Sequence, residues 1–435
     1  MSNKITVALA GLGSRGKDIY AKAAKLYPDK MQIVAIADID PVKVKMVAEE
    51  YGIPEERCYS SAEEMLKEDR LADVMFITTQ DRQHVGHAIP ALKKGYHLLL
   101  EKPISPDLDE CREIVKVAKE CDRKVVVCHV LRYTPIYRKV KEILDSGKIG
   151  DVVSIMAVEN VGWFHMAHSF VRGNWANSDE TSPMILQKCC HDMDLYLWLA
   201  NKKCKSVSSY GSTYLFKEEN APEGCAKRCL DGCKAKDTCP FDAEAIYMDN
   251  KIVGYNNGRR IWPLDVLAPV PTEESIMDAI RTGRYGRCVY HCNNNVVDHQ
   301  VVNLNMTDGS TMSFTMCGLS ADIARYARFY GTKGELIVNM NGDDIKKNVI
   351  EVNMFDKNIT HEEIDVASLS DDFSGHGGGD NVMVEEFIDI LLGNREESAS
   401  ITSLEKSVES HYCALAAEKS RLHDGAVVEI DSMRS

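Results

Sequence analysis

Short apolar runs alternate with helical patterns over the first 130 residues. Residues 5–10 are apolar and partly β-branched, and they stop at Gly11-Leu-Gly13-Ser14-Arg15-Gly16. Residues 17–26 then carry Tyr20, Ala23 and Ala24 on one helical face, and a second apolar run over 33–37 ends at Asp38. The same rhythm predicts a strand over 73–79, a helix over 84–92, a strand over 96–100, a helix over 108–120 and a strand over 124–130. Strands that are apolar throughout and separated by helices are those of a parallel sheet covered on both faces. Ligands of such sheets bind at the carboxyl ends of the strands. Gly11–Gly16, Asp38, Thr78 to His84, Glu101 to Pro103 and His129 to Tyr133 all fall at such ends, so one crevice should collect them.

Strand, GxGxxG, helix, strand and acid in that order form the dinucleotide fingerprint. Gly11 permits the tight turn, Gly13 lets a pyrophosphate approach the backbone, and Gly16 allows helix and strand to pack closely. The helix start would face the phosphates with its positive end. Asp38, placed 22 residues after Gly16, would bind both adenosine ribose hydroxyls and repel a 2′-phosphate, which favours NAD over NADP. Arg15 works against that preference, because an arginine in the glycine loop could cover a 2′-phosphate.

The 435 residues suggest two or three domains, and 44% hydrophobic with 27% charged residues describes a globular protein. A net charge of −14 argues against nucleic acid or an anionic membrane as partner. No apolar run is long enough to span a bilayer, and the N-terminus reads as a first strand rather than a signal peptide. With fifteen cysteines, an odd number, and no leader, a reducing cytoplasmic setting with mostly free thiols is expected.

Beyond these patterns the chain resembles the Gfo/Idh/MocA oxidoreductases along nearly its whole length. The resemblance rests on Ala10-Gly-Leu-Gly-Ser-Arg-Gly16, Ile77-Thr-Thr-Gln-Asp-Arg-Gln-His84, Gly95-Tyr-His-Leu-Leu-Leu-Glu-Lys-Pro103, His191-Asp-Met-Asp194, Gly331-Thr-Lys-Gly334 and a helix around 404–422. It implies a Rossmann α/β domain over 1–131. An α+β domain over 132–435, built on a large, mostly antiparallel open sheet, would close over the nicotinamide and assemble into a dimer or tetramer. It also implies that Lys102 and His191 serve as the acid/base pair. Ser14, Arg15, Thr79, Asp81, His84 and Glu101 would then line the NAD site with the glycines and Asp38. Tyr133, Gln187, Lys188, His191 and His376 would meet a sugar, polyol or glycoside. Gln187 stands where many members carry Asp, so their proton relay is altered here, and Lys188 either compensates or is simply solvated. Removing a hydroxyl proton during hydride transfer calls for a base near working pH, which histidine or a desolvated lysine provides.

Three activities fit these residues. Net oxidation of a hydroxyl would produce NADH. A redox-neutral glycosidase would oxidise, eliminate, hydrate and re-reduce, with Tyr133, His165 or His376 as extra base. A cofactor-binding regulator would need neither Lys102 nor His191. Strand-like stretches at 152–160, 206–216, 296–306, 311–317, 327–331 and 335–339 supply the second sheet, whereas 342–369 is the least patterned stretch. Trp163, His165 and His168 could reach the pocket or pack in the core. Gly375-His-Gly-Gly-Gly-Asp380 reads as a turn capped by Asp380, or as a loop bringing His376 to a sugar. Finally, Cys225, Cys229, Cys233 and Cys239 stand within fifteen residues of a polar insertion at 217–247. Four thiolates suit structural zinc, although the x3, x3, x5 spacings are not those of paired C-x2-C knuckles. Cys288, His291 or Cys292 could replace one ligand, and an iron–sulfur cluster or unliganded thiols are the rival readings.

Overall fold

The computed structural model describes residues 4–342, 344–358 and 360–434. Two sheets organise it. The first holds β1 (Ile5–Ala10), β2 (Met31–Ala37), β3 (Cys58–Tyr59), β4 (Val74–Ile77), β5 (His97–Leu100) and β6 (Val125–Val127), all parallel and ordered β3-β2-β1-β4-β5-β6. The order reverses beside β1, which puts a binding crevice at the carboxyl end of that strand. Val7, Leu9, Val74, Phe76 and Leu99 are fully or almost fully buried, as the unbroken apolar runs require.

The second sheet has nine strands: β7 (Val152–Asn160), β8 (Cys204–Ser212), β9 (His299–Met306), β10 (Thr311–Cys317), β11 (Ala324–Gly331), β12 (Gly334–Asn341), β13 (Val349–Met354), β14 (His361–Ile364) and β15 (Val428–Glu429). Their order is β14-β13-β12-β11-β7-β10-β9-β8-β15. Every neighbouring pair is antiparallel except β7 and β10. Strand β9 alternates buried and exposed residues, so one face packs inward under the helices Cys190–Ala200 and Leu404–Leu422. The other leaves Val153, Met156, Tyr210 and Val301 exposed.

Both β13 and β14 lie in the stretch whose sequence carried least pattern. Edge strands need not alternate, and the four residues of β14 are exposed or half-buried.

Late segments of the chain return to the first sheet. Met383, Val384, Phe387 and Ile388 of helix Gly379–Leu392 share a core with Val7, Leu9 and Leu99. Val127 N–H donates to the Thr402 carbonyl at 2.9 Å, and Ile104 N–H donates to His411 Nε2 at 2.7 Å. All fifteen cysteines are unpaired, and no helix among the described residues is long and apolar enough to cross a membrane.

Candidate active site

Backbone geometry defines the cofactor cradle. Gly11 has φ +94, and a Cβ there would lie 2.5 Å from the Thr78 carbonyl oxygen. A Cβ on Gly16 would lie 2.0 Å from the Gly11 oxygen, so both positions exclude side chains. A Cβ on Gly13 would meet nothing within 4 Å, which leaves that backbone open to a ligand. The helix Ser14–Tyr20 begins immediately afterwards and continues into Ala21–Leu26. Asp38, just past β2, accepts from Leu12 N–H at 2.5 Å and from Asp40 N–H at 2.8 Å, which fixes its carboxylate beside the glycine turn. An open backbone at a helix start with an oriented acid beside it fits the pyrophosphate and ribose of a dinucleotide.

Arg15 turns away from that cradle. Its guanidinium donates to Glu101 Oε1 at 2.8 Å, to Asp380 Oδ1 at 2.6 Å and to the Tyr20 hydroxyl at 2.5 Å. The expectation that it covers a phosphate is therefore replaced by a part-buried ionic link between the cradle helix, the end of β5 and the helix from Gly379. Burial works to raise the carboxyl of Glu101, but Arg15 and Lys102 beside it hold it below its ordinary value. Asp380 is not the cap of its helix; Gly378 is, and Asp380 binds Arg15 and His376.

Lys102 follows Glu101, whose Oε2 accepts the Lys102 N–H at 2.8 Å. The Lys102 ammonium donates to the Gln187 carbonyl oxygen at 2.8 Å, so Gln187 orients it through the main chain. His191, in the first turn of helix Cys190–Ala200, is buried and its Nδ1 has no partner. Burial, then the charges of Lys102, His129 and His376, push its pKa well below the usual histidine value, which keeps the imidazole neutral. His376 stands 6.0 Å from it, centroid to centroid, with Nδ1 at 3.1 Å from Asp380 Oδ2.

Other expected residues are occupied elsewhere. Both oxygens of Asp81 are taken, one by Trp175 Nε1 at 3.1 Å and one by the Ser182 hydroxyl at 2.7 Å, so it ties the two domains together. Thr79 pairs with His87. The His84 ring lies 2.7 Å from the Pro103 carbonyl and 3.1 Å from that of Thr79, and so braces the loop carrying Lys102. Tyr133 is buried in the core of the first sheet, its hydroxyl 3.0 Å from Thr402 Oγ1, and the structure does not bring it to the pocket. Lys188 is not free in solvent: its ammonium lies 3.3 Å from Glu159, which also meets Arg325 at 3.1 Å. Arg325 in turn meets Asp192 at 2.8 Å. His168 is core, bonded to Tyr247 at 3.0 Å, whereas His165 packs on Trp262 with its Nδ1 unpartnered.

Two further residues stand out: His129, which the sequence placed only at a strand end, and Asp265, which it did not mark. His129 is fully buried between His191 and His411, 5.7 Å from each ring, with neither nitrogen bonded. Asp265, from the short helix Leu264–Leu267, accepts from the Ser14 hydroxyl at 3.3 Å. Burial and then neighbouring Asp18 raise its pKa to about 6.

Comparison with known proteins agrees with this geometry. The chain is 22% identical over 409 residues to the oxidoreductase YteT of Bacillus subtilis, covering 89% of this chain and 88% of that protein. It is 23% identical to inositol 2-dehydrogenase of Salmonella typhimurium over 207 residues, which span 47% of this chain and 57% of the dehydrogenase. An Agrobacterium radiobacter oxidoreductase solved with NAD+, L-tartaric acid and magnesium superposes with a TM-score of 0.67 at 16% identity, covering 99% of this chain and all of that one. The WlbA dehydrogenase of Bordetella pertussis, solved with NADH and UDP-GlcNAcA, gives 0.67 at 18% identity and 99% coverage of both chains. Residues 5–129 match the model of the oxidoreductase family's NAD-binding Rossmann fold, and residues 141–430 match the model of its C-terminal α/β domain. With both halves matched, the chain belongs to the Gfo/Idh/MocA family of NAD-binding oxidoreductases.

Proposed function

We propose that the protein oxidises a secondary hydroxyl of a sugar, polyol or glycoside, with Lys102 and His191 handling the hydroxyl proton. The observation that carries this reading is the pairing of an anchored ammonium with a buried, neutral, unpartnered imidazole beside the glycine cradle. NAD, held by the glycine turn and Asp38, would supply the hydride acceptor. The proton on the same hydroxyl would pass to the His191 imidazole, while Lys102, fixed by the Gln187 carbonyl, would stabilise the oxygen as it gains negative charge. Reduction of a ketone uses the same groups in reverse. NAD is favoured over NADP because Asp38 faces the ribose position and Arg15 is held by Glu101 and Asp380. The apolar outer face with Val153, Met156, Tyr210 and Val301 supports a homodimer or homotetramer.

A redox-neutral glycosidase is the second reading, favoured by the surplus of neutral histidines at this pocket. Burial, then Lys188, His168 and Lys102 nearby, push His165 well below its ordinary value, and burial lowers His376 as well. Either could take a carbon-bound proton. Incubation with NAD and a panel of polyols, sugars and aryl glycosides, following NADH and aglycone together, separates the readings. NADH formed with one sugar class and abolished in Lys102→Ala supports the dehydrogenase. Aglycone released without NADH, and lost in the same variant, replaces it with the glycosidase.

A further inference from the structure

The cysteine-rich insertion has little regular structure; the short turns Glu218–Asn220 and Lys236–Thr238 and the start of helix Ala245–Asp249 are its helical pieces. It is nevertheless well packed. The Arg228–Arg287 bridge, Cys229 N–H to the Gly286 carbonyl at 3.0 Å and Cys288 N–H to the Lys227 carbonyl at 2.9 Å pin it against a distant loop. That pairing brings Cys288 into a small cavity also lined by Cys225, Cys229, Cys233 and Cys239. Ligand atoms of Cys225, Cys288 and His291 all lie within 4.8 Å of one another, and Cys225 Sγ is 3.4 Å from His291 Nε2. Zinc with Zn–S near 2.3 Å and Zn–N near 2.0 Å sets tetrahedral S···N edges of about 3.5 Å and S···S edges of about 3.8 Å. The Cys225–His291 edge has that length, and Cys288 Sγ lies within 4.8 Å of both, close enough for one ion to draw the three together.

Charge makes an independent case. Arg172 is fully buried, and among the described residues no carboxylate lies within ion-pair distance of it. Its Nε donates to the Arg287 carbonyl at 2.7 Å and one terminal nitrogen to the Phe241 carbonyl at 2.6 Å and to Cys229 Sγ at 3.5 Å. Its remaining terminal nitrogen has no partner, and Tyr247, Cys229, Cys292 and Cys288 are the ionisable groups acting on it most strongly. A guanidinium stays charged in a protein, and burying one without an anion costs several kcal/mol. Neutral thiols cannot balance it. One zinc bound by three thiolates and a neutral imidazole carries a net charge of −1, which does.

We propose that Cys225, Cys288 and His291 bind a structural zinc ion, with the fourth ligand drawn from Cys229, Cys233 and Cys239. The ion would staple the insertion to the distant loop that carries Cys288 and His291. Of the four cysteines expected from the sequence as one ligand set, only Cys225 belongs to this three-residue cluster. The fold inserts Cys288 and His291, about sixty residues later in the chain, where the x3 spacing spreads the others around the cavity.

Metal analysis of the full-length protein after dialysis against metal-free buffer tests this. One zinc per chain is expected, falling to under about a tenth in Cys225→Ser, Cys288→Ser and His291→Ala. Cobalt in place of zinc should give the intense visible bands of tetrahedral sulfur coordination. Because those variants can fail to fold, wild-type protein is also titrated with a mercurial in the presence of a zinc-sensitive dye, which should release one zinc per chain. Absence of metal with every thiol titratable, a disulfide between these cysteines, iron with acid-labile sulfide, or a zinc content unmoved by His291→Ala in folded protein would each overturn the assignment.

Discussion

Asp265 places a titrating carboxyl where the cofactor's pyrophosphate is expected, and Asp265→Asn isolates its effect. Its oxygen lies 3.3 Å from Ser14 Oγ at the start of the cradle helix. With a pKa raised to about 6, first by burial and then by Asp18, the group is neutral in mild acid and anionic above that value. A phosphate hydrogen-bonded at Ser14 would sit about 6 Å from this carboxylate. At an effective dielectric constant of about 40 to 80, the repulsion is then roughly 0.7 to 1.4 kcal/mol, a three- to tenfold change in Kd. NAD affinity of the wild type should therefore weaken by that factor as pH rises from about 5 to 8. The asparagine variant keeps an acceptor for Ser14, should bind more tightly at the upper pH, and should lose the pH dependence. Titration calorimetry at both pH values checks it. An unchanged Kd in Asp265→Asn at about pH 8, or a pH dependence that survives the substitution, would refute the reasoning.

The glycines should separate binding from folding. Gly13→Ala adds a methyl into open space, so melting should be unchanged while NAD affinity falls by about tenfold or more; Gly16→Ala drives a methyl into the Gly11 carbonyl and should cost about 1–3 kcal/mol in urea unfolding. Arg132 and Asp194 form a buried pair with two contacts of 2.6 Å, so Asp194→Ala strands a guanidinium and should cost about 3–5 kcal/mol, checked by urea unfolding. Burial lowers His168 and His411 to about 3. Such groups bind protons better when unfolded, so their contribution is complete above about pH 6.5 and is lost as pH falls below it. Each should remove up to about 2 kcal/mol at pH 5, seen as a steep fall in Tm between about pH 7.5 and 5.

Much of the first domain was legible because its signals are local. Glycine spacing, apolar runs and the acid after β2 lie within 38 residues, and β7 and β10 fall where β-branched alternation placed them. What escaped reading depends on distance in the chain. Arg15 looked free to meet a phosphate because its partners, Glu101 and Asp380, are 86 and 365 positions away. Asp265 reaches Ser14 across 251 positions and no periodicity marks it. Tyr133 sits beside a motif and near the crevice in sequence, yet its side chain turns to Thr402. The proposed metal cluster shows the same limit, since two of its three residues, Cys288 and His291, come from a loop that only the folded chain delivers.

The return of the C-terminal segments to the first sheet bears on how the protein is made. Helix Gly379–Leu392 covers a face of that sheet, while Thr402 and His411 accept hydrogen bonds from Val127 and Ile104. These residues leave the ribosome long after the glycine cradle they support. Domains that close on themselves can fold during synthesis at about 5–20 residues per second. Here the nucleotide-binding domain must wait, with apolar surface uncovered, until residues 379–411 have been translated. A nascent chain stalled before residue 379 should therefore engage chaperones and fail to retain NAD, despite carrying every residue of the fingerprint.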